Sequence, residues 1–327
     1  METKYINPFI DYGFKKLFVT EANKDILISF FNAVIEDSAD PIVDLTYKNI
    51  ELIGEFNGAR DSYLDAYCET ASGRQFIVEM QNSWQPFFKD RTLYYAAKAI
   101  TNQAVKDDPT KREQPEKEEL KKAEKWNYRL KEVFVIALMN FNFPKKEYKP
   151  EDYYHRIMLT DLNDQHVFYD KLTLIYLEMR KVGKAKLDMN RPLDRWLMVL
   201  YKLWGEEDCP PELEEPIFKK LYKEAEFARF NSDQQLTYER SWKRELDIYN
   251  EIEGGRILGH EEGLEEGRKE GREEGLAEGK ELGIAEGENN KALEIARNMK
   301  ALGLDDETIM KATGLTSVPH FRALNTA

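Results

Sequence analysis

Asp65, Glu79 and Gln81 have the residue types and spacing that metal-assisted chemistry uses. They lie in YLDAYCETASGRQFIVEMQ (residues 63–81), which reads as two short strands joined at Ala71-Ser72-Gly73. A three-residue hairpin loop commonly places its last residue in the left-handed region, where Gly costs least. With Thr70 facing Arg74 across the loop, Asp65 stands directly opposite Glu79. Side chains alternate along a strand, so Leu64, Ala66 and Cys68 are expected on one face with Phe76, Val78 and Met80. Asp65, Glu79 and Gln81 then take the other face, and a one-residue slip would scatter the acids among apolar neighbours. Directly opposed residues have Cβ atoms about 5 Å apart, and like charges there are unfavourable. A divalent cation relieves that conflict, since Mg²⁺ is held by one or two carboxylates together with waters and phosphate oxygens. The competing reading is a wet face on which the repulsion is screened, and spacing alone leaves both open.

The residues around this hairpin resemble a known family. Asp65, a turn and Glu79-x-Gln81 resemble the core of the PD-(D/E)XK nuclease superfamily, with Gln81 where most members carry Lys. NPFIDYGFKKLF (7–18), IVEMQ (77–81) and RTLYYAAKAITNQ (91–103) resemble one branch closely, the recombination-promoting nuclease/transposase (Rpn) family of bacteria. The resemblance covers residues 5–250 in kind, with its specific motifs in the first third. It implies an α/β, restriction-endonuclease-like fold: a mixed central sheet flanked by helices, here with a helical C-terminal extension. It also implies an Mg²⁺-dependent endonuclease acting on DNA, with Mn²⁺ as the alternative ion. Asp65 and Glu79 would be metal ligands, the Met80 carbonyl an additional one, and Asp11 would join from the first helix. Gln81 would orient the attacking water but supplies no positive charge, for which Lys15 or Lys16 would have to compensate. DNA in preference to RNA rests on the resemblance alone.

The elements that must position these groups follow from periodicity. Phe14, Leu17 and Phe18, then Ile26, Leu27, Phe30, Phe31 and Val34, recur at helical spacing. Asp11 precedes the first run, where an Asp more often serves as a helix N-cap. Residues 42–52 alternate loosely as a first strand, followed by a polar loop. Residues 87–103 read as a helix with Leu93, Tyr94, Ala97 and Ile100 inward. Arg91 and Lys98 lie nearly two turns apart on it, as phosphate contacts or as part of a solvated face. The charged, Pro-punctuated segment 104–125 reads as an insertion. VFVIAL (133–138) is the continuous apolar run of a strand buried on both faces, and 156–160 and 172–179 supply further strands. Pro192 opens a helical region with Trp196, Leu197, Val199, Leu200 and Leu203 inward, and helices follow over 217–230 and 236–252. The Tyr and Trp stripes there read as packing.

The 327 residues therefore divide into a nuclease-like domain at 1–250, a Glu-rich helix at 251–290 and a small helical tail at 291–327. In the second segment Gly255, Gly259, Gly263, Gly267, Gly271, Gly275, Gly279, Gly283 and Gly287 recur every four residues. Each costs about 1 kcal/mol in a helix relative to Ala. The pattern reads either as a coiled-coil-like seam for self-association through 255–287 or as a solvated stalk. GLDDETIMKATGLTSVPHF (303–321) resembles a helix-turn-helix pair, with Asp305 as a cap, Gly314 as a stop and a third helix beginning at Ser317. Such pairs are also common packing units.

Composition bounds the function classes. The net charge is −13, but 251–290 alone holds thirteen Glu against five Lys or Arg. Residues 171–195 reverse the sign with Lys171, Arg180, Lys181, Lys184, Lys186, Arg191 and Arg195, a candidate phosphate-facing patch. The four histidines are scattered and give no zinc set or His-based triad, and no nucleotide-binding fingerprint occurs. Two cysteines, no signal core and no run of about 18 apolar residues lead to the expectation of a cytoplasmic protein that does not contact membrane. The competing function is a non-enzymatic DNA-binding or assembly protein on a weakened nuclease fold.

Overall fold

The computed structural model describes residues 3–48, 51–52, 62–106, 128–144 and 148–319. The chain divides into two compact units, Met1–Tyr249 and Asn250–Ala327. Most of the expected insertion at 104–125 lies outside the described residues.

The first unit is built on a mixed six-stranded sheet with helices on both faces, as the restriction-endonuclease-like expectation requires. Its strands are β1 (Thr46–Tyr47), β4 (Ala66–Glu69), β5 (Gln75–Gln81), β6 (Val133–Met139), β7 (Tyr154–Thr160) and β8 (Val167–Glu178). Their order is β1-β4-β5-β6-β8-β7, with β5, β6 and β8 mutually parallel and the other pairings antiparallel. The first strand is shorter than the alternation over 42–52 predicts: only Thr46–Tyr47 joins this sheet. Glu51–Leu52 (β2) pairs instead with Ser62–Tyr63 (β3) in a separate ribbon. Every residue of β6 is buried, because helices cover the central strands on both sides.

On one face lie α1 (Asp11–Phe18), α2 (Lys24–Ile35), α5 (Pro192–Lys202) and α6 (Pro216–Ala225), after the single turn α4 (Met179–Val182). A stacked aromatic series joins helix to sheet there, with Phe31–Phe76 and Phe76–Phe134 centroids both 5.0 Å apart. On the other face α3 (Phe88–Lys106) lays Tyr95, Ala96 and Ala99 over Ile77, Val133 and Val135. This corrects the predicted phase of α3: Leu93, Tyr94 and Ala97 are exposed. The true inward stripe is mostly alanine, whose small side chains give the periodicity little contrast, while the larger Leu93 and Tyr94 point outward.

Helix α7 runs Ser232–Ala301 without a break, where the sequence reads as three separate helices. In the first unit its Tyr238 hydroxyl accepts from the Asn7 N–H (2.8 Å) and its Ser241 Oγ from the Tyr12 N–H (3.3 Å). Trp204 packs on Trp242 with centroids 5.4 Å apart, so these aromatics are packing residues as expected. Gly13 belongs to the same contact. A Cβ there would stand 2.2 Å from the Asn7 carbonyl oxygen, so only glycine lets α1 approach.

In the second unit, a Cβ added at any glycine of the four-residue repeat, Gly255 to Gly287, would meet nothing within 4 Å. Packing within the chain therefore does not demand these glycines. Helix α8 (Asp306–Thr313) is capped by Asp305, whose carboxylate accepts from the Thr308 N–H, and is stopped by Gly314 at φ +70°. No helix begins at Ser317 within the described residues, which end at 319. No described helix is long and apolar enough to cross a membrane.

Candidate active site

The hairpin turn has the expected chemistry. Gly73 has φ +87°, and Thr70 and Arg74 close the loop through the Thr70 N–H to Arg74 carbonyl bond (2.9 Å). The ladder pairs Ala66 with Val78 and Glu69 with Gln75. The next position in that register sets Asp65 opposite Glu79. The ladder itself stops at Ala66 because the chain bends at Asp65. Two consequences follow. Leu64 joins the α3-side cluster with Tyr67 and Ile77, and does not share the Cys68 face as alternation predicts. The Asp65 carboxylate turns back along the strand, and its Oδ2 accepts from the Met80 N–H at 2.7 Å.

Glu79 is 1% exposed, facing α3 at the centre of the sheet. This disposes of the wet-face reading, because bulk water is not there to screen it. Its Oε2 is held by the Arg91 guanidinium through a charged hydrogen bond, while Oε1 is buried without a hydrogen bond of regular geometry, the Asp65 N–H being the one backbone donor that acts on this carboxylate. Burial, and then the neighbouring Asp65 charge, push the Glu79 carboxyl up to about 8, against the pull of Arg91. Burial likewise lifts Asp65 to about 6; the Met80 N–H opposes that rise, Asp11 adds to it, and Lys15 and Arg91 oppose it. Two ionisable groups disfavoured as anions and one carboxylate oxygen without a regular hydrogen bond fit a site that takes a cation.

Arg91 does not stand as a lone phosphate contact. Besides Glu79 it donates to Gln81 Oε1 (3.2 Å) and Gln85 Oε1 (2.7 Å). The Gln81 amide is thus committed at both ends, since its nitrogen donates to the Ser83 carbonyl (3.1 Å). Gln81 thereby anchors Arg91 and the following loop. A positive charge thus stands beside Gln81, brought from the first turn of α3.

Asp11 is in the first turn of α1 but does not cap it. The N-cap position is Ile10, and Asp11 pairs with Lys15 at 2.7 Å. Both act electrostatically on Asp65, so α1 borders the site. Asp11, Asp65 and Glu79 are each drawn to a separate partner and do not form a compact cluster of three acids. Among the described residues, the compact group of three possible ligands is instead Asp161, Asp164 and His166 at the β7–β8 turn, with Asp161 half-buried and the other two exposed. Lys16 is directed to the Phe230 ring (5.6 Å) and Lys98 to the Tyr94 ring (5.1 Å).

Four of the seven cations in the basic run 171–195 have partners within the chain, while Arg180, Lys184 and Lys186 are exposed. Lys171 donates to the Leu130 carbonyl (3.1 Å), and Lys181 is buried on Glu178 (2.8 Å). Arg191 pairs with Glu36 (2.6 Å), and Arg195 with Glu215 (3.0 Å). Lys181, Arg191 and Arg195 are thus paired with acids of the same chain.

Sequence reasoning missed a polar network at the end of β5. Asn140 donates to Asn82 Oδ1 (2.7 Å), and Asn82 donates to Glu245 Oε2 of α7 (3.0 Å). No local pattern announces it, since Glu245 lies 163 residues beyond Asn82.

No curated protein and no solved structure matched the chain. Two family descriptions did: PD-(D/E)XK nuclease family transposase over residues 8–255, and Rpn/YhgA-like nuclease family, C-terminal HTH domain, over residues 289–317. The first spans the sheet, its flanking helices and the Asp65–Glu79 hairpin, and the second spans the end of α7 and α8. The chain therefore belongs to the PD-(D/E)XK nuclease family transposases, in the Rpn/YhgA-like branch.

Proposed function

We propose that the protein is a metal-dependent endonuclease that hydrolyses DNA phosphodiester bonds, with Mg²⁺, or Mn²⁺ in its place, held by Asp65 and Glu79. The observation that carries this reading is the buried Glu79 carboxylate, opposite Asp65 in register, with Oε1 lacking a regular hydrogen bond. The Met80 carbonyl would add a ligand, and Asp11, across from Asp65 on α1, is the nearest further acid. When bound, such an ion supplies a water of lowered pKa and charge stabilisation at the scissile phosphate. The chain's own residues do the remaining work. Asp65 is oriented by the Met80 N–H, and Glu79 is positioned by the central strand β5. Arg91, fixed by Gln81 and Gln85, brings the positive charge that a Lys at position 81 would supply. Lys15 and Lys98 are proposed phosphate contacts beside it. The test is plasmid nicking by purified protein with Mg²⁺, with EDTA, and with Asp65→Asn, which keeps an acceptor for the Met80 N–H. Nicking only by the wild type with metal is expected, and equal behaviour of all three would remove the assignment.

A second reading concerns α7. Its repeat glycines contact nothing within the chain, which favours an external use for the seam they form. On this reading the helix self-associates through 255–287. Replacing Gly267, Gly271 and Gly275 by Ala should raise helicity by propensity alone while lowering the mass measured by light scattering. An unchanged mass would discard the role.

A further inference from the structure

The loop between β5 and α3 presents large aromatic side chains to solvent beside the candidate site. Trp84 is 55% and Phe87 79% exposed, and Tyr94, in the second turn of α3, is 44% exposed. Isolated exposed apolar residues are ordinary, but these three have an ordered setting. Trp84 lies between two residues pinned to the site: the Ser83 carbonyl accepts from Gln81, and Gln85 accepts from Arg91. Phe87 is the residue whose carbonyl accepts the first helical bond of α3, from the Arg91 N–H (3.0 Å). It has φ +61°, a left-handed conformation that bulky side chains rarely adopt. Arg91, Tyr94 and Lys98 follow at i, i+3 and i+7, so they share one helix face, and the Lys98 ammonium lies 5.1 Å from the Tyr94 ring centroid. The surface leading away from Glu79 thus alternates aromatic planes with cations.

That alternation matches one chemistry in particular. Nucleic acid strands present phosphates and flat π faces at regular intervals, and proteins that hold single strands combine a cationic track with aromatic platforms. A duplex keeps its base faces stacked internally and can offer only its backbone and groove edges. Resting on the reading of this site as a nuclease, we propose that Trp84, Phe87 and Tyr94 form a stacking platform for unpaired bases. The preferred substrate is then single-stranded or locally opened DNA, with Lys98 contacting the adjoining phosphates.

The test is binding of the full-length protein, in EDTA to prevent cleavage, to three fluorescein-labelled probes: an oligothymidylate, a matched duplex, and the same duplex with an unpaired bubble. The single strand and the bubble should bind more tightly than the duplex. Trp84→Ala and Phe87→Ala should each weaken binding to those two probes by about tenfold or more, the loss expected for one stacked base. Duplex binding should change little. Lys98→Ala should weaken all three alike and flatten their salt dependence by about one contact. Trp84→Phe, which retains a ring, should keep most of the affinity, and subtracting its fluorescence from that of the wild type should show Trp84 quenched by the oligothymidylate. Equal affinity for all probes, or Ala variants that bind the single strand normally, overturns the proposal. So does a fall in the protein's own mass on Trp84→Ala, which would make the patch a protein interface. These outcomes are separable from failure of the nuclease reading, which the metal-dependent nicking of plasmid decides on its own.

Discussion

Replacing Glu79 by Gln should make the metal-free protein more stable, by an amount that grows with pH. The Glu79 carboxyl is lifted from 4.5 to about 8, chiefly by burial and secondly by Asp65. A carboxyl raised on folding costs nothing below its unfolded value, where both states are protonated. The cost accrues as pH rises from 4.5, because the unfolded chain ionises while the folded one holds its proton. It is complete once pH passes the folded value near 8. At about 1.4 kcal/mol per pH unit, the penalty amounts to about 3 kcal/mol at pH 7 and between about 4 and 5 kcal/mol above pH 8. Glutamine is near-isosteric and does not titrate, so the difference between variant and wild type should widen by about these amounts from pH 4.5 upward. Any fixed cost of the altered Arg91 contact leaves that slope unchanged. Urea unfolding in EDTA at pH 5, 7 and 8.5, followed by circular dichroism, measures it. Millimolar Mg²⁺ should then narrow the difference, stabilising the wild type and leaving Glu79→Gln unaffected, by mass action on the folded state. A variant less stable than wild type by the same margin at every pH would refute the reasoning, since Glu79 would then be a satisfied structural acid.

Other expectations follow from the same geometry. Arg91→Gln removes the cation competing for Glu79 Oε2, so Mn²⁺ binding without DNA, read by electron paramagnetic resonance, should tighten by about tenfold. Plasmid nicking by the same variant should fall; weaker Mn²⁺ binding would contradict the assignment. Gly73→Ala forces a side chain into φ +87° and against Lys131, 3.2 Å away, and should lower stability by about 1 kcal/mol or more in urea. Glu178→Ala strips the shared acceptor from His155 (2.6 Å), Lys181 (2.8 Å) and the Phe143 N–H (2.9 Å). Leaving Lys181 buried without its counter-charge, on the Lys149 and Asp152 carbonyls alone, should cost about 3–5 kcal/mol, a loss visible as a lowered Tm.

What could be read from the chain depended on how local its determinants were. The hairpin register was legible because Gly73 sets the loop and the acids sit on alternate residues, both within 19 residues of sequence. The bend at Asp65 was not, because it depends on the Met80 N–H donating to the Asp65 side chain in place of a strand carbonyl. The apolar run of β6 announced a covered strand, whereas α3, whose inward stripe is Tyr95, Ala96 and Ala99, gave a misleading phase. Arg91 was picked out as a functional cation, but its attachment to Glu79 and Gln81 depends on how α3 crosses β5, which residue spacing does not encode. Glu245 was invisible for the same reason at a longer range.

The bend at Asp65 has a consequence for how faults in this hairpin show themselves. The carboxylate that would bind metal also terminates the β4–β5 ladder, so folding and chemistry share one atom. A chain that pairs these strands one residue out of step leaves the Met80 amide orphaned and the acids dispersed together. On the proposed metal-binding role, a misregistered hairpin would lose its fold and its cation site together.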